Sequence, residues 1–275
     1  MKKYIAILLS LVLVFSLFVG CSKKDSAAEE VMPEAATAVQ DSEAAEEEAA
    51  SDAASEAPSG ADADTASAFY GAYIEAKSNV VTKIMNGLGN NPDTVMTALS
   101  FIGATMSDLY LLPAMYFGLD ESSVAAALAV MGAKNVVYEK NGNSYSISYL
   151  DSNDQDAVLT GTYDAGKSLI CVGSTNGTEN VFSEVYKTAF GYVGQFYYIA
   201  DDGTTTLYQF AISGEDGVVG MVNGGERPAA LSGSESADFA ASAPEWYAIN
   251  GSTITGVASD GTSINFEYVP SEDDE

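Results

Sequence analysis

From residue 134 onward the chain is punctuated by turn dipeptides at short, nearly regular intervals, and that punctuation limits the fold more than any other feature. Asn141-Gly142, Asp164-Ala165-Gly166, Asn176-Gly177, Asp202-Gly203, Asp216-Gly217 and Asp260-Gly261 separate runs rich in β-branched and aromatic residues. Such pairs tolerate the left-handed backbone that tight hairpins need, and runs of this composition suit a pleated, half-buried surface. The runs are VVYEK, SYSISYL, AVLTGTY, SLICVG, NVFSEVYKTAF, YVGQFYYIA, TTLYQFAI and VVGMV. They predict an antiparallel, curved meander of seven or eight strands. After a loop or short helix over RPAALSGSESADFAASAP, the runs WYAI, STITGVAS and TSINFEYV bring the expected total to about seven to ten.

Before residue 134 the hydrophobic period is helical. Ala68 to Leu88 places Phe69, Tyr73, Ile74, Val80, Val81, Ile84, Met85 and Leu88 at three- and four-residue spacings, with Gly89 as a stop. Asn91-Pro92-Asp93 starts a second helix, TVMTALSFIGATMSDLYLLPAMYFG, and Asp120-Glu121-Ser122 a third, alanine-rich one closed by Gly132. Three N-terminal helices followed by hairpins make the class α+β, with the helices packed on the sheet over residues 67–270.

The second helix carries one charge, Asp108, and is long enough to cross a bilayer. Asp108, the Thr, Ser and Gly positions and Pro113 argue instead for a buried spine. Met106, Tyr110, Met115 and Tyr116 are candidates to line a pocket for an apolar ligand, since flexible thioethers and amphipathic rings make adaptable walls.

The start of the chain has a different character. Lys2 and Lys3 precede IAILLSLVLVFSLFV, then Gly20 and Cys21, in the order of an export signal over residues 1–20. Phe18-Val19-Gly20-Cys21 resembles the lipobox of bacterial lipoproteins. That resemblance implies an acylated Cys21 as first mature residue, a covalent lipid as the only attached group, and a domain held at a membrane outside the cytoplasm, at the cell surface or on an outer membrane. Residues 21–66 contain the anchor and a tether dominated by Ala, Ser, Glu and Asp with no aromatic residue, too polar to fold alone. An acidic tail, residues 271–275, closes the chain.

Charge and composition remove several functions. Between residues 66 and 270 there are 22 acidic and 7 basic side chains, a net −15 that repels nucleic acid. There is no histidine, which excludes histidine-based triads and histidine-ligated zinc. GTYDAGKS, residues 161–168, matches the phosphate-loop string, but the runs on either side read strand, turn, strand, and the string needs a helix after it. No nucleotide is expected. DSNDQD, residues 151–156, lacks the glycine and the glutamate of a calcium loop, so no metal site is expected. Trp246 and Tyr247 lie in a strand and read as core, although such a pair can stack on sugars. Cys171 reads as a small buried hydrophobe.

The sequence therefore points to a lipid-anchored binding domain with no catalytic residues, for an apolar or amphipathic ligand held between the Met- and Tyr-rich helix and the sheet. Helices laid on a curved antiparallel sheet resemble, in layout alone, the bacterial lipid-carrying lipoproteins. A closed-core module that binds an envelope protein is the alternative, and a carboxylate-based carbohydrate enzyme is third.

Overall fold

A computed structural model describes residues 65–98 and 101–269. The export signal, Cys21, nearly all of the tether and the acidic tail lie outside the described residues. Among the described residues no helix is long and apolar enough to cross a membrane.

The first helix, α1 (Ala66–Asn90), is capped by Thr65, whose hydroxyl accepts the Ala68 N–H at 3.2 Å. The expected second helix is divided. It forms α2 (Val95–Ala98), α3 (Ile102–Tyr110) and a 3₁₀ turn over Leu112–Tyr116. Pro113 supplies one reason: it lacks an N–H and its ring would clash with the carbonyl four residues back, so the chain tightens into a 3₁₀ turn. Helix α4 (Glu121–Val130) starts where the sequence places it, with the Asp120 carboxylate accepting the Ser123 N–H at 3.0 Å. Among the described residues, four α-helices therefore stand where three are expected.

The remainder is one open antiparallel sheet of eleven strands in strict sequence order. They are β1 (Lys134–Asn141), β2 (Ser144–Leu150), β3 (Asp156–Asp164), β4 (Ser168–Thr175), β5 (Thr178–Lys187) and β6 (Tyr192–Ile199). After them come β7 (Thr205–Ser213), β8 (Asp216–Asn223), β9 (Glu245–Asn250), β10 (Thr253–Val257) and β11 (Ser263–Glu267). Every run named from the sequence became a strand, so the count exceeds the expected seven to ten. The two edges carry charge, Lys134, Glu139 and Lys140 on β1 and Glu267 on β11, which discourages edge-to-edge pairing.

Helix α1 crosses the strands. Tyr73 sits over Gly194 on β6, Val80 over Gly217 on β8 and Gly87 over Ile254 on β10. Seven residues of helix advance about 10.5 Å, and two strand spacings measure about 9.6 Å. The match explains why each second turn meets every second strand. Its apolar stripe is buried along the whole length, from Phe69 and Tyr70 to Ile84 and Leu88. The other sheet face is crossed between β8 and β9 by residues 224–244. Leu231 N–H donates to Glu184 at 2.7 Å, Gln195 donates to the Ala229 carbonyl at 2.8 Å, and the Arg227 guanidinium lies 3.7 Å from the Phe182 ring centre. Central strands β5 to β8 are thus covered on both faces.

Candidate functional site

Helix α3 is built inside out. Its small residues Ala104 and Ser107 are buried, while Ile102, Met106, Leu109 and Tyr110 are 42–45% exposed. Ile102, Met106 and Leu109 follow an i, i+4, i+7 spacing and form one outward stripe, while Tyr110 at its edge leans back onto the sheet. Val95 and Met96 on α2 are exposed as well. The expectation of a buried spine holds for Phe101, Leu111 and Phe117 of the segment and fails for the outer side of α3. Small residues let the helix lie close to what is beneath it, and the large ones are left outside; α1 is the buried spine instead.

Beneath α3 lies an aromatic floor contributed by β6, β7 and β9. The register pairs Phe196 with Tyr208 and Gly194 with Phe210. Ring centres step 6.5 Å from Phe210 to Tyr208, 6.5 Å from Tyr208 to Phe196 and 6.0 Å from Phe196 to Tyr110. Tyr110 also lies over Tyr198 at 4.4 Å, and Phe101, just before α3, meets the buried Tyr247 ring edge-on at 4.9 Å. Gly103 is required at its place, because a β-carbon there would overlap the Tyr208 hydroxyl.

At the inner end of the floor is a buried polar cluster. Lys77 of α1 is 2% exposed and its ammonium contacts the Asp108 carboxylate of α3, the Ser107 hydroxyl at 3.3 Å and the Phe210 ring face at 4.8 Å. Burial pushes the Asp108 carboxyl above its ordinary value, and Lys77 and Ser107 pull it back. The Tyr70 and Tyr73 hydroxyls, two turns and one turn earlier on α1, are pushed well up by burial and then by the Asp108 charge. Tyr70 Oη is buried with no hydrogen-bond partner. Cys171 is a free buried thiol, pushed up to about 12 by burial.

The four pocket candidates do not share one surface. Met106 lies on the outward face of α3, whereas Tyr110, one turn on, leans onto Tyr198 of the sheet. Met115 packs toward Gly71 of α1, and the Tyr116 hydroxyl reaches the Met131 sulfur at 4.0 Å. Lys77, Tyr70 and the floor rings were missed from the sequence. One signal was present: Lys77 falls on the buried stripe of α1, four residues after Tyr73 and seven before Ile84, and Asp108 is the lone charge of its segment.

The other motifs resolve as hairpin structure. GTYDAGKS runs from β3 into β4, the Lys167 N–H closes the turn on the Asp164 carbonyl at 2.9 Å, and the Lys167 and Asp164 side chains pair at 3.5 Å. A strand follows Ser168, so no helix terminus faces the string. In the 151–156 loop the Asp151 carboxylate accepts the N–H groups of Asn153 at 2.8 Å and Gln155 at 2.9 Å. Among the described residues no group of three metal-ligating side chains occurs. The buried carboxylates Glu184 and Glu245 and the part-buried Asp108 are each engaged: Asp108 by Lys77, Glu184 by Gln195 and Leu231, Glu245 by the Tyr247 hydroxyl at 2.9 Å. An open depression of about 600 Å³ between Gly203–Thr206 and Asn223–Gly225 holds no titratable group.

No protein-family model, curated protein or solved structure matches this chain.

Proposed function

We propose that the chain is a lipid-anchored extracytoplasmic binding protein, non-catalytic, that takes an apolar or amphipathic molecule where α3 meets the sheet. The observation that carries this is the inverted α3, which turns Ile102, Met106 and Leu109 outward beside a Tyr110 that roofs the aromatic floor. Exposed large apolar side chains gathered on one element mark binding surfaces. The sheet is taken as curved around the helices: Phe69 has Tyr163 of β3 at 5.6 Å and Tyr192 of β6 at 6.0 Å. Those strands are three spacings, about 14 Å, apart. Cys21 supplies the covalent lipid and the membrane attachment, and the acidic domain has no nucleic-acid or nucleotide partner.

One observation favours a second reading, a closed module that docks an envelope protein. Tyr110 sits directly on Tyr198, so the space between α3 and the sheet is filled by the protein's own rings. A photoreactive residue at position 109 of the full chain, activated in the host membrane, separates the two. Adducts of lipid mass on that peptide support the ligand reading; protein-sized adducts alone would replace it with the second. Cys21→Ser should release the protein from the membrane fraction, and full retention would remove the anchor.

A further inference from the structure

We infer that the ligand is a singly charged anionic amphiphile, a fatty-acid carboxylate, whose head binds Lys77 in the place now held by the Asp108 carboxylate. This rests on the ligand reading of α3 and specifies the chemistry of its site.

Lys77 is almost fully buried, and its anionic partner is carried by α3 itself. Lifting α3 from the sheet therefore uncovers the aromatic floor and withdraws the ion-pair partner of Lys77 in one movement. An ammonium enclosed again by whatever replaces α3, but without a counter-ion, is strongly unfavourable. Whatever replaces α3 must supply an apolar body and one negative charge at its end. An apolar alcohol or diglyceride supplies only the first, and a polyanionic head adds charge to a domain that already carries −15.

The layout matches such a molecule from head to tail. Lys77 lies over Phe210, and the floor continues from there through Tyr208 to Phe196, which Tyr110 of α3 covers while the helix is seated. Head-group donors are present at the inner end. Tyr70 and Tyr73 have ring centres 6.2 Å apart, and the Lys77 ammonium is 5.9 Å from the Tyr73 ring centre. The Tyr70 hydroxyl is buried with no partner and its ring lies beside Tyr73, so it is assigned as the second donor to an incoming carboxylate, which can accept several hydrogen bonds. Asp108 thus stands in for the head group in the empty state, and ligand and α3 compete for one cation.

The test compares oleate with oleyl alcohol, identical in chain and different in charge, binding to the full lipidated chain in uncharged detergent micelles by native mass spectrometry. Oleate should bind about tenfold or more tightly than the alcohol, the scale of a charged hydrogen bond. Asp108→Asn keeps the shape and removes the competing charge, so it should raise oleate affinity about tenfold and leave the alcohol within about twofold. Lys77→Met should erase the preference for oleate. Tyr70→Phe, which deletes one oxygen and leaves packing intact, should lower oleate binding severalfold and spare the alcohol. Equal binding of oleate and alcohol by the unmodified chain, or an Asp108→Asn effect identical for both, overturns the head-group assignment and leaves the apolar site standing. Binding of neither molecule overturns the ligand reading as well.

Discussion

If Lys77 and Asp108 are the pair that fastens α3 to α1, Asp108→Leu should be far more damaging than its position on a half-exposed helix suggests. The Lys77 side chain is 3% exposed and the Asp108 side chain 27%. Removing the carboxylate strands a charge in the interior, a change worth about 3–5 kcal/mol; partial water access through the Asp108 side argues for the lower figure, about 3. Lys77→Met is milder, because the carboxylate left behind can turn to water, and about 1–2 kcal/mol is expected. The double variant, an apolar pair of similar volume, should return to within about 1 kcal/mol of the parent. The cycle therefore predicts a coupling of about 3–5 kcal/mol. In a domain of about 200 residues the Asp108→Leu loss corresponds to a fall of about 6–12 °C in Tm. Urea and thermal unfolding followed by circular dichroism measure all four corners. A double variant as unstable as the two single losses added together would show that the two side chains do not act on each other, and Lys77 would need another counter-ion.

Gly194→Ala tests how α1 is seated. A β-carbon at that place would lie 2.6 Å from Tyr73 Oη and 3.1 Å from Cζ, and the ring is held by Tyr192 edge-on at 5.8 Å, so overpacking should cost about 1–3 kcal/mol. An unchanged melting temperature would mean that the helix sits higher above β6 than described. Glu184→Gln tests the opposite sheet face by pH. Burial raises the Glu184 carboxyl above the ordinary 4.5, against the pull of the Leu231 N–H and Gln195. The folded state then holds a proton that the unfolded chain has lost, so this group favours folding most at or below about 4.5 and its contribution is lost as pH rises through the raised value. A Gln side-chain carbonyl can still accept both hydrogen bonds. The parent should therefore gain stability over the variant as pH falls from 7 toward 5, and parallel stability curves would refute the shift.

The sheet was legible from the sequence because its determinants are local. Each hairpin depends on two or three residues such as Asn141-Gly142 or Asp216-Gly217, and each strand on its own composition, so all eleven runs could be read without knowing their neighbours. The same locality disposed of GTYDAGKS, whose flanking runs already spelled a hairpin. Helix α1 was legible for a related reason: its stripe repeats over 25 residues.

What the sequence could not determine was which side of a wholly apolar segment faces in. Residues 94–118 carry no polar face, so periodicity offered no orientation, and burial of every side was the natural expectation. Only the sheet decided it. The rings at Phe196, Tyr198, Tyr208 and Phe210 come from strands up to 14 residues apart in the chain, and together they make a surface so close that α3 fits only with Gly103, Ala104 and Ser107 turned toward it. The same contact brought Lys77 and Asp108, 31 residues apart, into one buried pair. Sequence alone determined the strands, the turns and the long helix, since those follow from short-range backbone preference. The outward stripe and the buried cation beneath it follow from packing between distant segments, which only the tertiary structure supplies.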